Sequence, residues 1–193
     1  MAQTDVELML RVKAGDAASF AVLLERYRAP VIHYLSRIVR DQAAAEELAQ
    51  EVFLRVYKAR GRYLPDARFT TWLFKIATNL ALNAVRDSRM ARGAETPMTE
   101  LEPNSLGAIR DPHRTAEQEM IEQERVRKIR EAVQALPEKQ RAAVILHKYH
   151  DMDYAQIAKI LGCSTSALRS LLFRAYESLR ERLRPLVEAK EQI

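Results

Sequence analysis

Cysteine is nearly absent: Cys163 is the only one in 193 residues. No disulfide can therefore form within the chain, which suits the reducing cytosol. Long apolar runs are missing too, and none approaches the ~18 residues of a membrane-spanning helix. The N-terminal stretch MAQTDVELMLRVKAGD lacks a basic start, an apolar core and a small-residue cleavage site in that order, so it is not read as a signal peptide. Alternating β-branched stretches are absent, which argues against sheets. Groups for catalysis are equally scarce: there is no glycine-rich phosphate loop and no nucleophile with a recognisable base partner. The four histidines are scattered. His147 and His150 are three apart, but no second ligand pair of suitable spacing accompanies them. No metal, cofactor or catalytic residue is expected, and an enzyme is the least favoured class.

What is present is charge, unevenly placed. Residues 1–92 carry 15 basic and 10 acidic side chains, residues 93–124 carry 2 and 8, and residues 125–193 carry 14 and 8. Two basic blocks thus flank an acidic one, and positive blocks attract nucleic acid. The acidic stretch also holds three of the seven prolines and two of the five glycines. Up to about Thr115 it has neither helical nor strand period, the composition of a solvated tether. The rest is helical in period, over roughly 5–14, 17–40, 43–60, 70–91, 116–135, 138–149, 154–161 and 165–190. Pro30 is expected to kink or break its segment, and Pro137 begins a fresh one. The fold class is all-α: two small helical domains joined by an acidic flexible linker, with boundaries at 1–92, 93–117 and 118–193.

Three surfaces stand out. Along RFTTWLFKIATNLALNAVR, residues 68–86, one face gathers Phe69, Leu73, Ile76, Ala77, Leu80 and Ala84. The other gathers Trp72, Lys75, Asn79, Asn83 and Arg86, although Asn forms helices poorly and an exposed indole is wasteful. Along AAAEELAQEVFLRVYKAR, residues 43–60, Leu48, Ala49, Val52, Val56 and Ala59 form an inward seam. Glu47, Gln50, Glu51, Leu54, Tyr57 and Lys58 lie outside it, and apolar Leu54 and Tyr57 among polar neighbours suggest a protein interface. Along YAQIAKILGCSTSALRSLLFRAY, residues 154–176, a short helix, a glycine turn and a second helix have the layout of a helix-turn-helix. Ile157, Ala158 and Leu161 pack the first helix, Gly162 turns, Cys163 fills the space below, and Ser164 caps the second helix. Leu168, Leu172 and Ala175 then face inward, leaving Ser166, Arg169, Ser170, Phe173 and Arg174 for base edges and phosphates.

These stretches, with FAVLLERYRAPVIHYLSRIV at 20–39 and ALPEKQRAAVILHKYHDMDYAQIAKIL from 135 to 161, resemble sigma factors of the sigma-70 family. The resemblance is to the small two-domain extracytoplasmic-function (ECF) group. It implies that the chain binds bacterial RNA polymerase core and directs promoter recognition and DNA melting. The first domain would be σ2-like and handle the −10 element, and the second would be σ4-like and handle the −35 element. By resemblance Gln50 and Glu51 contact the β′ clamp coiled coil, within a docking face of Glu47, Gln50, Glu51, Leu54 and Tyr57, and the β-subunit flap is a further partner. Asn79 and Asn83 engage the non-template strand, while Trp72 is read first as a buttress for the loop before it. Capturing an unstacked base calls for aromatic surfaces and amides, with cations holding the phosphates, and the strip from Trp72 to Arg86 supplies all three.

The resemblance further implies a tether that threads toward the active-centre and RNA-exit channels. Where relatives read G-T-V-K-S-R-L, this chain has Ser166, Ala167, Leu168, Arg169, Ser170, Leu171 and Leu172, so a basic position has become Leu171, which is expected to pack at the domain edge. A cytoplasmic protein, nucleoid-associated when bound to polymerase, is expected. The chain ends soon after the helix-turn-helix without a sensory domain, so control by a separate anti-sigma factor is expected. The competing reading is a helix-turn-helix regulator that acts without docking on polymerase.

Overall fold

Leu8, Met9 and Val12 are fully buried because α1 (Asp5–Lys13) presents one apolar stripe to its neighbours. Thr4 caps it, accepting from the Glu7 amide while the Glu7 carboxylate accepts from the Thr4 amide. The computed structural model describes residues 3–92 and 116–188. Every element among them is helical: α1, then α2 (Ala17–Val39), α3 (Gln42–Lys58), a 3-10 turn at Arg60–Arg62, α4 (Phe69–Arg92), α5 (Ala116–Gln134), α6 (Glu138–Tyr149), α7 (Tyr154–Leu161) and α8 (Thr165–Glu188). These bounds match the periodic segments of the sequence within one or two residues.

Helices α2, α3 and α4 form a three-helix unit capped by α1. Asp16 starts α2 by accepting from the amides of Ala18 and Ser19. Of the two outcomes expected from sequence at Pro30, a kink or a break, the break does not occur: α2 runs on through it to Val39. An interior proline costs ~3 kcal/mol. Val31, Tyr34, Leu35 and Ile38, all essentially inaccessible just beyond it, offset that cost by burial. On α3 the inward seam is broader than the sequence reading: Ala45 and Phe53 are buried as well, because α2 and α4 cover α3 on two sides.

The second unit packs α5, α6 and α7 against the long α8. Asp153 and Gln156 form a reciprocal cap at the start of α7. Gly162 ends it at φ 65°, and its amide and that of Cys163 both reach the Ala158 carbonyl. The two units touch one another: α7 lies on α4, and α6 lies on α2. The tether at 93–115, including its expected threading, lies outside the described residues.

Candidate nucleic-acid interface

The outward strip of α4 is assembled by the helix period alone. Lys75, Asn79, Asn83 and Arg86 are all exposed, while Phe69, Leu73, Ala77 and Leu80 are buried opposite them. Asn79 and Asn83 stand one turn apart, so two amides project side by side with a cation at either end. Trp72 differs. It is half-buried, with its ring 5.2 Å from that of Tyr63 and 6.2 Å from that of Phe69. The indole therefore fixes the loop at 63–68, as the buttress reading expects, and keeps one flank toward solvent. Lys13 Nζ holds the same loop by donating to the Tyr63 carbonyl at 3.0 Å. Burial raises the Tyr63 phenol above its ordinary value, with Asp5 and Asp66 adding to the effect.

In the helix-turn-helix, Ser164 Oγ accepts from the Ala167 amide at 3.1 Å, the expected cap. Leu168, Leu172 and Ala175 are buried, and Ser166, Arg169, Ser170, Phe173 and Arg174 are exposed. Phe173 is 67% exposed, an unusual placement for a benzyl group. Ser170 and Arg174 are tied to their own helix: the Ser170 hydroxyl donates to the Ser166 carbonyl and Arg174 Nε to the Ser170 carbonyl, both at 3.3 Å. Leu171 is half-buried against the core, as its position beside the seam requires. Cys163 is half-buried in the turn.

On α3, Glu47 and Gln50 are exposed and Leu54 is 45% exposed. Glu51 pairs with Arg55 at 2.7 Å. Tyr57 is less free than its position implied: its ring lies 5.1 Å from Phe20, and the Arg60 guanidinium sits 4.2 Å above it. The apolar part of this face is chiefly Leu54, flanked by the tyrosine edge.

Sequence reasoning missed the far side of α4. Thr71 and Thr78 are buried. Thr78 bonds Tyr34 at 2.7 Å, and Thr71 accepts from Gln156 Nε2 on α7 at 3.3 Å. His150 lies 4.5 Å from the Phe74 ring and 5.7 Å from that of Tyr34. Burial, then Arg37, pushes its imidazole down to about 4. His147 is committed elsewhere, with Nδ1 2.9 Å from the Tyr176 hydroxyl. Among the described residues no group of three or more His, Cys, Asp or Glu could hold a metal ion. No helix there is long and apolar enough to cross a membrane.

Comparison with known proteins agrees with this layout. Residues 23–90 match sigma-70 region 2, and residues 126–179 match sigma-70 region 4. The chain is 30% identical over 190 residues to the RNA polymerase sigma-H factor of Pseudomonas aeruginosa, covering 96% of each protein. It is 31% identical over 185 residues to the ECF RNA polymerase sigma-E factor of Escherichia coli K12, covering 95% of this chain and 96% of that one. Among solved structures, CnrH in complex with the cytosolic domain of CnrY shares the fold at TM-score 0.69 and 20% identity, over 95% of this chain and 99% of that one. The sigma factor RpoE of Bartonella quintana, solved with the anti-sigma factor NepR, shares it at TM-score 0.67 and 20% identity, over 86% and 96%. A helix-turn-helix regulator without polymerase docking is not favoured, since the first unit matches region 2 and the second matches region 4. The chain therefore belongs to the sigma-70 family, in the ECF group, and is an alternative sigma factor that directs transcription initiation.

Proposed function

We propose that the labour is divided among the three surfaces by their chemistry, with residues 1–92 as the σ2-like unit, 93–117 as linker and 118–193 as the σ4-like unit. Asn79 and Asn83 read exposed base edges of the −10 element once the duplex opens, Trp72 borders the captured base, and Lys75 and Arg86 hold phosphates. Arg169 and Arg174 carry the phosphate contacts at the −35 element, and Ser166, Ser170 and Phe173 approach the bases. Glu47, Gln50, Glu51, Leu54 and Tyr57 dock on the β′ clamp coiled coil, and the second unit meets the β flap. The acidic linker runs through the polymerase channels. The protein works in the cytoplasm, on the nucleoid when bound to polymerase, without catalytic chemistry of its own. Bartonella RpoE is bound by an anti-sigma factor, and a separate protein of that kind restrains this chain too.

The observation that carries the reading is the exposure of two amides in register on α4, on a face with no packing need for them. Adding the chain to sigma-free core polymerase should yield promoter-specific transcripts, and the chain alone should bind duplex DNA poorly. Tight sequence-specific binding without core would overturn the division.

A further inference from the structure

We infer that Lys13, the last residue of α1, is a positioning residue for promoter opening: its ammonium holds the loop at 63–68 where that loop, with Trp72, receives an unstacked base of the −10 element. The inference rests on the −10 reading of α4 given above.

The loop is pinned at both ends and open between them. At its start Tyr63 is buried, its ring 6.3 Å from that of Phe69 and 5.2 Å from that of Trp72. At its end the Arg68 carbonyl accepts from the amides of Thr71 and Trp72 as α4 begins. Leu64, Pro65 and Asp66 lie between and are exposed, Leu64 at 65%. The Tyr63 hydroxyl is buried without a hydrogen-bond partner. Its ring is therefore held by apolar packing, which is non-directional and does not decide where the exposed tip points.

The directional contact comes from α1. Lys13 Nζ donates to the Tyr63 carbonyl at 3.0 Å, across 50 residues of sequence. That carbonyl belongs to the peptide joining Tyr63 to Leu64, where the exposed tip begins. A charged donor makes this one of the stronger kinds of hydrogen bond. Helix α1 is itself anchored, because Asp5 accepts from the Arg26 guanidinium and the Tyr27 hydroxyl of α2. The Tyr27 ring in turn lies 5.4 Å from that of Phe69. A closed circuit thus runs from α1 through α2 and α4 to the loop, and returns to α1 through Lys13. Removing the ammonium opens that circuit at the loop and leaves the apolar packing in place. The buried residues of α1 are Leu8, Met9 and Val12, so Lys13 itself covers no core. If the loop then keeps its receptive position about a fifth of the time, affinity for an unstacked base falls about five-fold.

The test compares Lys13→Met, which keeps the stem without a donor, with Lys13→Arg, which keeps a donor, in the full chain. Trp72 is the single tryptophan, and it packs on Tyr63, so its fluorescence reads the loop directly. In the free chain Lys13→Met should raise acrylamide quenching of Trp72 and red-shift its emission, with the melting temperature near that of the parent. With core polymerase, Lys13→Met should bind a premelted promoter duplex about five-fold more weakly and slow isomerisation to the open complex equally. Affinity for core and for the closed duplex should stay near that of the parent, and Lys13→Arg should restore each loss. The salt slope on the premelted duplex should match the parent, whereas a direct phosphate contact would lower it by about 0.7 unit. Unchanged quenching, unchanged isomerisation, a lowered salt slope, or failure of Lys13→Arg to restore would each overturn the positioning role. A parent holoenzyme that binds the premelted duplex no better than the closed one would instead count against the −10 reading of α4.

Discussion

At the scale of single residues, amides and cations on bare helix faces have no structural task, so their loss should be read in function. Asn79→Ala and Asn83→Ala should each lower open-complex formation several-fold while leaving affinity for core polymerase near that of the parent; normal promoter melting by both would remove the base-reading role. Leu171 is half-buried at the edge of the core, which leaves room for a longer side chain to reach solvent. Leu171→Arg should strengthen −35 binding and steepen its salt dependence by about one unit of slope on B-DNA. A weaker promoter complex would contradict that. His150 offers a pH readout. Its imidazole is held at about 4 against an ordinary 6.5, lowered by burial, Arg37 and His33 and opposed by Asp151. The unfolded chain takes up a proton between these values and the folded chain resists it. The stability due to neutral His150 is therefore complete above pH 6.5 and is lost as pH falls toward 4, by on the order of 2–3 kcal/mol. Denaturant midpoints from pH 7 to 4.5 should fall less in His150→Phe than in the parent, and parallel curves would exclude the group.

At the scale of elements, the turn between α7 and α8 depends on one backbone conformation. Gly162 sits at φ 65° with open space around its missing Cβ, so Gly162→Ala meets no clash and pays only the left-handed backbone strain, about 1 kcal/mol. Urea unfolding should show that loss; a stabilised variant would mean the turn does not need glycine. Helix α3 is different, because its exposed face does nothing for the fold. Paired substitution Gln50→Ala and Glu51→Ala removes only the Arg55 ion pair, a surface pair worth under ~1 kcal/mol. The melting temperature should hardly move while competition for core polymerase weakens several-fold. Unchanged competition would take Gln50 and Glu51 out of the docking face.

At the scale of the whole molecule, the two units share one buried core and are also held by side chains that reach across. Arg141 is the clearest, since one guanidinium binds carbonyls from both units, Ile38 and Leu136. Arg141→Met keeps the aliphatic stem and removes both bonds. It should destabilise the chain by about 1–3 kcal/mol through the carbonyls left unpaired, and protease should cut the tether sooner than in the parent. Unchanged stability and cleavage would show that the guanidinium contributes nothing to the junction.

The helices themselves, the turn at Gly162, the cap at Ser164 and the two exposed strips on α4 and α8 were all determined by the sequence. They depend on a 3.6-residue period, on capping oxygens and on glycine, each acting within a few residues. What only the tertiary structure decided is where distant segments meet. The cross-unit bonds of Thr71, Gln156 and Arg141 and the burial of His150 carried no local signal, because a buried threonine or arginine looks like any solvated one until its partner is placed. Whether α2 would continue past Pro30 was open for the same reason: the burial of Tyr34 and Leu35 that carries the helix past it comes from helices elsewhere in the chain. Tyr57 read as a free apolar group until Phe20 and Arg60 closed over it. Period and capping act along the chain, whereas burial and cross-unit hydrogen bonds depend on neighbours that sequence order does not name.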